Sequence, residues 1–225
     1  MERAVNLKLD NLSSHLSTLF VVGILLCSSQ AFASGAEARR AYVMGKYLPA
    51  LELAQPAAER GDRIAMHTLG MLYFNGEGVR QDYASALRWW RAAAALGDRR
   101  AQHGIGMLFR NGFGVEKNYA EAIKWFELSA SNGEPMAYWG LGYMNENGQG
   151  TELNIQKAIE FYQRSEEFFR KELLVEPESS PAINRMIFDL THRIQWLTSL
   201  LARPNPIIPA LSTPQNGSSQ QTTPK

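Results

Sequence analysis

Apolar positions recur along this chain with two superposed periods. Within short segments they fall three and four residues apart, as on one face of an amphipathic helix. Over a longer distance the whole pattern repeats every 36 residues between Ala65 and Glu172. The blocks Ala65–Arg100, Ala101–Met136 and Ala137–Glu172 align without a gap. Ala65, Ala101 and Ala137 open the blocks, and Leu69-Gly70, Ile105-Gly106 and Leu141-Gly142 follow. Gly76-x-Gly78, Gly112-x-Gly114 and Gly148-x-Gly150 mark turns, and Ala86, Ala122 and Ala158 recur beyond them. A fixed period in this range is the mark of stacked supersecondary units.

Each block predicts two helices. The first, Ile64–Phe74, carries Ala65, Leu69, Leu72 and Tyr73 on one face. Glycine inside a helix costs about 1 kcal/mol relative to alanine. Three glycines in the column of Gly70 therefore argue for close helix packing. Asn75-Gly76-Glu77-Gly78 ends the helix, with glycine free to turn left-handed. Asp82 caps a second helix, Tyr83–Leu96, and Asn118 with Glu121 has the spacing of a capping box. Ala86, Trp89, Trp90 and Ala93 form its inward stripe, and Gly97 stops it. Trp89, Trp90 and Trp125 are thus expected in the core. Every block leaves a face that only its neighbour can cover. The expected fold is all-α, a right-handed α-solenoid of helix–turn–helix repeats.

The ends of the array depart from the period. Residues 34–64 read as a degenerate N-terminal repeat, with Tyr47, Ala50, Ala57, Gly61 and Asp62 standing 36 before Tyr83, Ala86, Ala93, Gly97 and Asp98. The Gly-x-Gly turn is missing there, and Pro56 predicts a kink. At the other end Phe169 replaces the stop glycine, so that helix is expected to run on to about Glu176. Ser180-Pro181 then starts a further helix. Its residues Ile183, Ile187, Leu190, Ile194, Leu197 and Leu201 make one apolar seam. Residues 173–202 are read as a C-terminal capping helix, the alternative being an outward seam for another helix or a second copy. In 203–225, five prolines interrupt a Ser/Thr/Gln/Asn stretch, the composition of a disordered tail.

The N-terminus changes the picture of where the chain works. Arg3 and Lys8 precede the apolar run Leu19–Leu26, and Ala31-Phe32-Ala33 supplies a cleavage motif. Residues 1–33 are expected to be a signal peptide cut after Ala33, giving a periplasmic or secreted protein. An uncleaved anchor that would hold the chain at the membrane, and lipidation at Cys27, are the alternatives. Cleavage removes Cys27, the only cysteine, and with it disulfides, cysteine–zinc sites and cysteine nucleophiles. The chain has 225 residues and a net charge of +1, unevenly spread. Ser34–Val115 carries 11 Lys/Arg against 7 Asp/Glu, while Glu116–Ala202 carries 8 against 13. Such polarity steers charged partners. Without an aromatic-studded basic stripe, no nucleic acid is expected as a partner.

The unit from Ala65 to Gly97, Ala-x-x-x-Leu-Gly-x-Leu-Tyr-x-Asn-Gly-x-Gly-Val-x-x-Asp-Tyr-x-x-Ala-x-x-Trp-Trp-x-x-Ala-Ala-x-x-Gly, resembles the Sel-one-like repeat, a relative of the tetratricopeptide repeat. The resemblance covers residues 65–168, and Pro56–Asp62 is similar to the lead-in of such arrays. It implies an exported protein–protein interaction scaffold or adaptor. Alternatives it leaves open are a structural part of an envelope machine for motility or polysaccharide secretion, and a peptidoglycan- or β-lactam-directed enzyme or binder. The last belongs to cysteine-rich relatives, whose repeated cysteine pairs this chain lacks.

By the same resemblance the first helices line a concave groove that would hold an unidentified protein or peptide. Its variable columns are His67, His103 and Trp139; Met71, Met107 and Tyr143; and Phe74, Arg110 and Glu146. Methionine and aromatic side chains suit adaptable peptide binding, with polar positions toward one rim. The first column also reads as partly core. His67 and His103 lack a cysteine or carboxylate column to complete a metal site, so no metal or cofactor is expected. The Gly-x-Gly turns follow helices rather than strands and are not dinucleotide fingerprints. No catalytic residue is proposed.

Overall fold

The computed structural model describes residues 34–175 and 180–203. The expected signal segment, and the expected tail from 204 onward, lie outside the described residues. Among the described residues the regular structure is helical: α1 Gly35–Val43, α2 Tyr47–Glu59, α3 Arg63–Asn75, α4 Tyr83–Ala95, α5 Arg99–Asn111, α6 Tyr119–Ser131, α7 Pro135–Asn147, α8 Ile155–Val175 and α9 Ser180–Leu201. The chain is an all-α helical-repeat protein. It divides into two compact units, Met1–Glu134 and Pro135–Lys225.

In the first unit, α1 pairs with α2, α3 with α4 and α5 with α6, while α3 also touches α1 and α5. The helices start where the sequence supplies oxygen to orphan backbone N–H groups. Asp62 accepts from Ile64 and Ala65 at the head of α3, Asp82 from Ala84 at α4, and Asp98 from Ala101 at α5. The expected capping box at α6 is half formed. Asn118 accepts from the Glu121 N–H, but the Glu121 carboxylate takes the Lys124 ammonium at 2.6 Å instead. A complete box stands at α1, between Ser34 and Glu37. Helix α2 runs through Pro56 to Glu59.

The column of glycines inside the first helices has a packing cause. A Cβ on Gly106 would lie 2.6 Å from the Phe126 ring, and one on Gly142 2.7 Å from the Tyr162 ring. A Cβ on Gly70 would collide with the Trp90 indole, and one on Gly104 of the next repeat would lie 2.8 Å from the same ring. Trp90, Phe126 and Tyr162, which share one column, are all buried. Trp89 and Trp125, one position earlier, are only half-buried. The turn glycines Gly78 and Gly114 combine φ near +70° with a close approach to Tyr47 and Tyr83 of the preceding repeat. Only glycine satisfies both demands.

Polar contacts repeat with the same period. Arg63 reaches Asp98 at 3.0 Å, and Arg99 reaches Glu134 at 3.4 Å, 36 residues on. The buried Ser129 hydroxyl donates to the Arg99 carbonyl at 2.7 Å, and in the second unit Ser165 donates to Pro135 at 2.8 Å. These bonds satisfy both buried hydroxyls.

In the second unit, α8 packs against both α7 and α9. Ile183, Ile187, Leu190 and Leu197 of the α9 seam are buried in one cluster with Ile155, Ile159, Tyr162 and Phe169. Each such side chain stabilises by roughly 1.5–3 kcal/mol when fully buried. The seam therefore faces α8, while Phe188 and Trp196 on the opposite side of α9 stay exposed. Glu146 fixes the register of α9: its buried carboxylate accepts from the Tyr162 hydroxyl at 2.8 Å and from the Arg193 guanidinium. Burial and the Glu146 charge push the Tyr162 phenol well above its ordinary pKa.

Two substitutions test these contacts by urea denaturation. Gly70→Ala should lose about 1–2 kcal/mol, because overpacking outweighs its gain in helix propensity; equal or higher stability contradicts the glycine–indole contact. Arg193→Ala should cost about 1–3 kcal/mol, since it strands a buried carboxylate whose partner is half-exposed. An unchanged midpoint would show that the pair does not hold α9.

Candidate functional site

The expected groove residues fall into the two units. In the first, His67, Met71 and Phe74 lie on α3, and His103, Met107 and Arg110 lie on α5. Both helices begin at an acidic cap, which sets the rotational phase of the residues that follow. His67 and Met71 are one turn apart, as are His103 and Met107, so the two pairs run alongside each other on touching helices.

Their surroundings differ. Met71 and Phe74 pack against the cluster of Leu87, Trp90, Ile105 and Leu108. Phe74 is held by aromatic rings, with Trp90 at 5.3 Å, Tyr83 at 5.5 Å and Phe113 at 6.0 Å. It belongs to the packing between repeats rather than to a rim. His103 sits against Phe126 at 5.5 Å. Met107 is half-buried, its carbonyl taking the Asn111 amide. Burial, with the Arg110 and His67 charges adding to it, lowers the His103 pKa to about 4. Burial also lowers His67 to about 4; Asp98 opposes this, while Arg100, Arg39 and Arg63 reinforce it. Neither imidazole carries charge at neutral pH. Among the described residues no group of three His, Cys, Asp or Glu side chains forms a metal cluster.

In the second unit, Trp139 stacks on Tyr143 at 5.5 Å. These two, with Tyr162 and with Asp189, Leu190 and Arg193 of α9, line a cavity of about 300 Å³. Helix α9 thus closes over part of the expected groove face. Glu146, expected on a polar rim, is buried under that helix and bonded to Tyr162 and Arg193. It offers no free carboxylate to a partner.

A feature absent from the sequence expectations lies at the first turns of α3 and α5. Arg39, Arg63, Ile64, His67, Asp98, Arg99 and Arg100 line a cavity of about 230 Å³. Four guanidiniums line it with one carboxylate, Asp98, which accepts from Arg63, while Arg99 also reaches Glu134. Arg63 and Arg99 occupy one repeat column, a signal visible in the alignment of the blocks. Arg39, 24 residues before Arg63, joins them only through the packing of α1 on α3.

Among the described residues no helix is long and apolar enough to cross a membrane. A family model described as Sel1 repeat matches residues 44–62, 63–98, 99–134 and 135–167. A Sel1 repeat protein from Oxalobacter formigenes, solved by crystallography, is 29% identical, covering 60% of this chain and 56% of that one, with a TM-score of 0.54. The crystal structure of c5321, a protective antigen present in uropathogenic Escherichia coli strains displaying an SLR fold, is 22% identical. It covers 77% of this chain and 42% of that one with a TM-score of 0.55, a likeness of fold alone. The chain spans about half the length of these solved structures. Comparison with curated protein sequences gives no match. The matched boundaries at 62/63 and 98/99 coincide with the acidic caps Asp62 and Asp98, and the repeats 63–98 and 99–134 begin and end on the Arg63–Asp98 and Arg99–Glu134 links. By four matched repeats covering more than half its length, the chain belongs to the Sel1 repeat family.

Proposed function

We propose that this protein is an exported adaptor of the cell envelope that holds a polypeptide partner against the α3–α5 face of its first unit. Its fold is a protein–protein interaction scaffold. The observation that carries the reading is the division of labour among its columns. The invariant positions, Gly70, Gly106, Ala65 and Ala101, are consumed by close packing. The neighbouring His67, Met71, His103 and Met107 stay partly accessible on two touching helices. Methionine there gives a surface that adapts to its occupant. Trp139 and Tyr143 supply a separate, aromatic-lined recess in the second unit.

Export is supported by the start of α1. Ser34, the residue after the expected cleavage point, is the N-cap, and its own N–H donates to Glu37 at 3.2 Å. The bonds of this cap need no residue before Ser34. A new α-ammonium at Ser34 would sit beside the Glu37 carboxylate.

Two measurements check this reading. In affinity capture from an envelope extract, Met107→Glu should lose the retained partner while its melting temperature stays close to the parent's; retention by the variant contradicts the α3–α5 surface. Intact-mass analysis of protein recovered from the producing cell's periplasm should give a chain beginning at Ser34. A mass that includes residues 1–33 contradicts processing.

A further inference from the structure

We infer that the arginine-lined cavity at the head of α3 and α5 is an anion site, taking a carboxylate from an acidic segment of the polypeptide partner. The inference rests on the adaptor reading above and specifies the chemistry of its partner. Its first ground is charge: Arg39, Arg63, Arg99 and Arg100 surround the space, against Asp98 as the one lining carboxylate. The second is position. Arg63 is the first residue of α3, and Arg99 and Arg100 are the first two of α5. A helix N-terminus carries partial positive charge, so cations there are unfavourable. Three guanidiniums at two such termini, joined by Arg39 from α1, gather around one space that a single lining carboxylate shares.

The cavity also has room and donors for a carboxylate side chain. Its volume of about 230 Å³ compares with ~30 Å³ for each water in the liquid, so it has room for an Asp or Glu side chain with several waters. Arginine's planar fork matches a carboxylate with two parallel hydrogen bonds. Asp98 already takes one guanidinium bond within the wall, accepting from Arg63 at 3.0 Å. His67 lines the cavity as a neutral ring, so it does not oppose the anion and can take up a proton when one binds.

The surroundings set the sequence of the partner. Met71 and Met107 lie one turn beyond His67 and His103, about 6 Å along the helices at 1.5 Å per residue. An extended peptide advances about 3.3 Å per residue. An acidic side chain in the cavity therefore places the side chain two positions away beside the methionines, and that side chain should be apolar.

The test uses the purified full chain and two dansyl-labelled peptides, Glu-Leu-Glu-Leu-Glu and its Gln-Leu-Gln-Leu-Gln counterpart, followed by fluorescence anisotropy. The acidic peptide should bind at least tenfold more tightly. Arg39→Gln with Arg100→Gln, which leaves the Arg63–Asp98 and Arg99–Glu134 pairs in place, should weaken it at least tenfold. Its circular-dichroism spectrum should match the parent's. If the double variant loses helicity, Arg100→Gln alone carries the same expectation for binding. The acidic peptide should also raise the His67 ring pKa from about 4, read by NMR.

Equal binding of the two peptides, or no binding of the acidic one at about 1 mM, overturns the proposal. Inorganic phosphate competing at the same concentration as the peptide overturns the peptide assignment in favour of a small-anion site. If Met107→Glu abolishes capture of the cellular partner while the arginine variant captures it normally, the anion site fails and the adaptor surface survives. If the arginine variant abolishes peptide binding and Met107→Glu leaves both capture and peptide binding intact, the anion site stands and the α3–α5 surface fails.

Discussion

How closely a first helix can lie against the second helix of its own repeat decides the rest of this structure. Gly70, Gly106 and Gly142 remove the side chain at the contact, and Trp90, Phe126 and Tyr162 fill the space with a ring. A missing Cβ costs helix propensity, but it lets a large aromatic surface leave water. The ring then has little freedom, because it is confined on several sides. In the first unit Gly104 of the following repeat also touches Trp90, so one indole joins two repeats. The backbone turns follow from this spacing: Gly78 and Gly114 bring each loop down onto Tyr47 and Tyr83.

Much of this was legible in the sequence, because packing at fixed spacing leaves a periodic trace. A glycine inside a helix, three times at one interval, has few explanations other than a close approach. The identity of the buried ring was less legible. Trp89 and Trp90 both fit a helical stripe, and their copies Trp125 and Phe126 do not separate them. Which one turns inward depends on a rotation of about one residue, fixed by the Asp82 cap and by the glycines opposite. The half-formed capping box at Asn118 failed for a related reason: Lys124 offered Glu121 a stronger partner than the backbone N–H did.

The candidate site was legible only in part. A column of the repeat tells which way a residue faces, but not what comes to cover it. Phe74 and Glu146 share a column and have opposite surroundings, an aromatic cluster in one case and a buried ion pair in the other. The helix that covers Glu146 stands outside the period, so no copy of it could be consulted. The arginine cavity was hidden differently. Arg63 and Arg99 align, but Arg39 belongs to the degenerate repeat and Arg100 to a position where the other blocks have Ile64 and Met136.

The links Arg63–Asp98 and Arg99–Glu134 join the first and last residues of the matched repeats 63–98 and 99–134. A whole block inserted or removed between Asp62 and Glu134 would bring the same partners back together, with no new polar group to satisfy. The two ends lack that freedom. Asp62 is engaged by the Gly35 N–H of α1, and Tyr162 and Glu146 need Arg193 from α9. Length in this protein is therefore modular in the middle and defined at the ends, where single residues outside the repeat mark the first and last positions of the array.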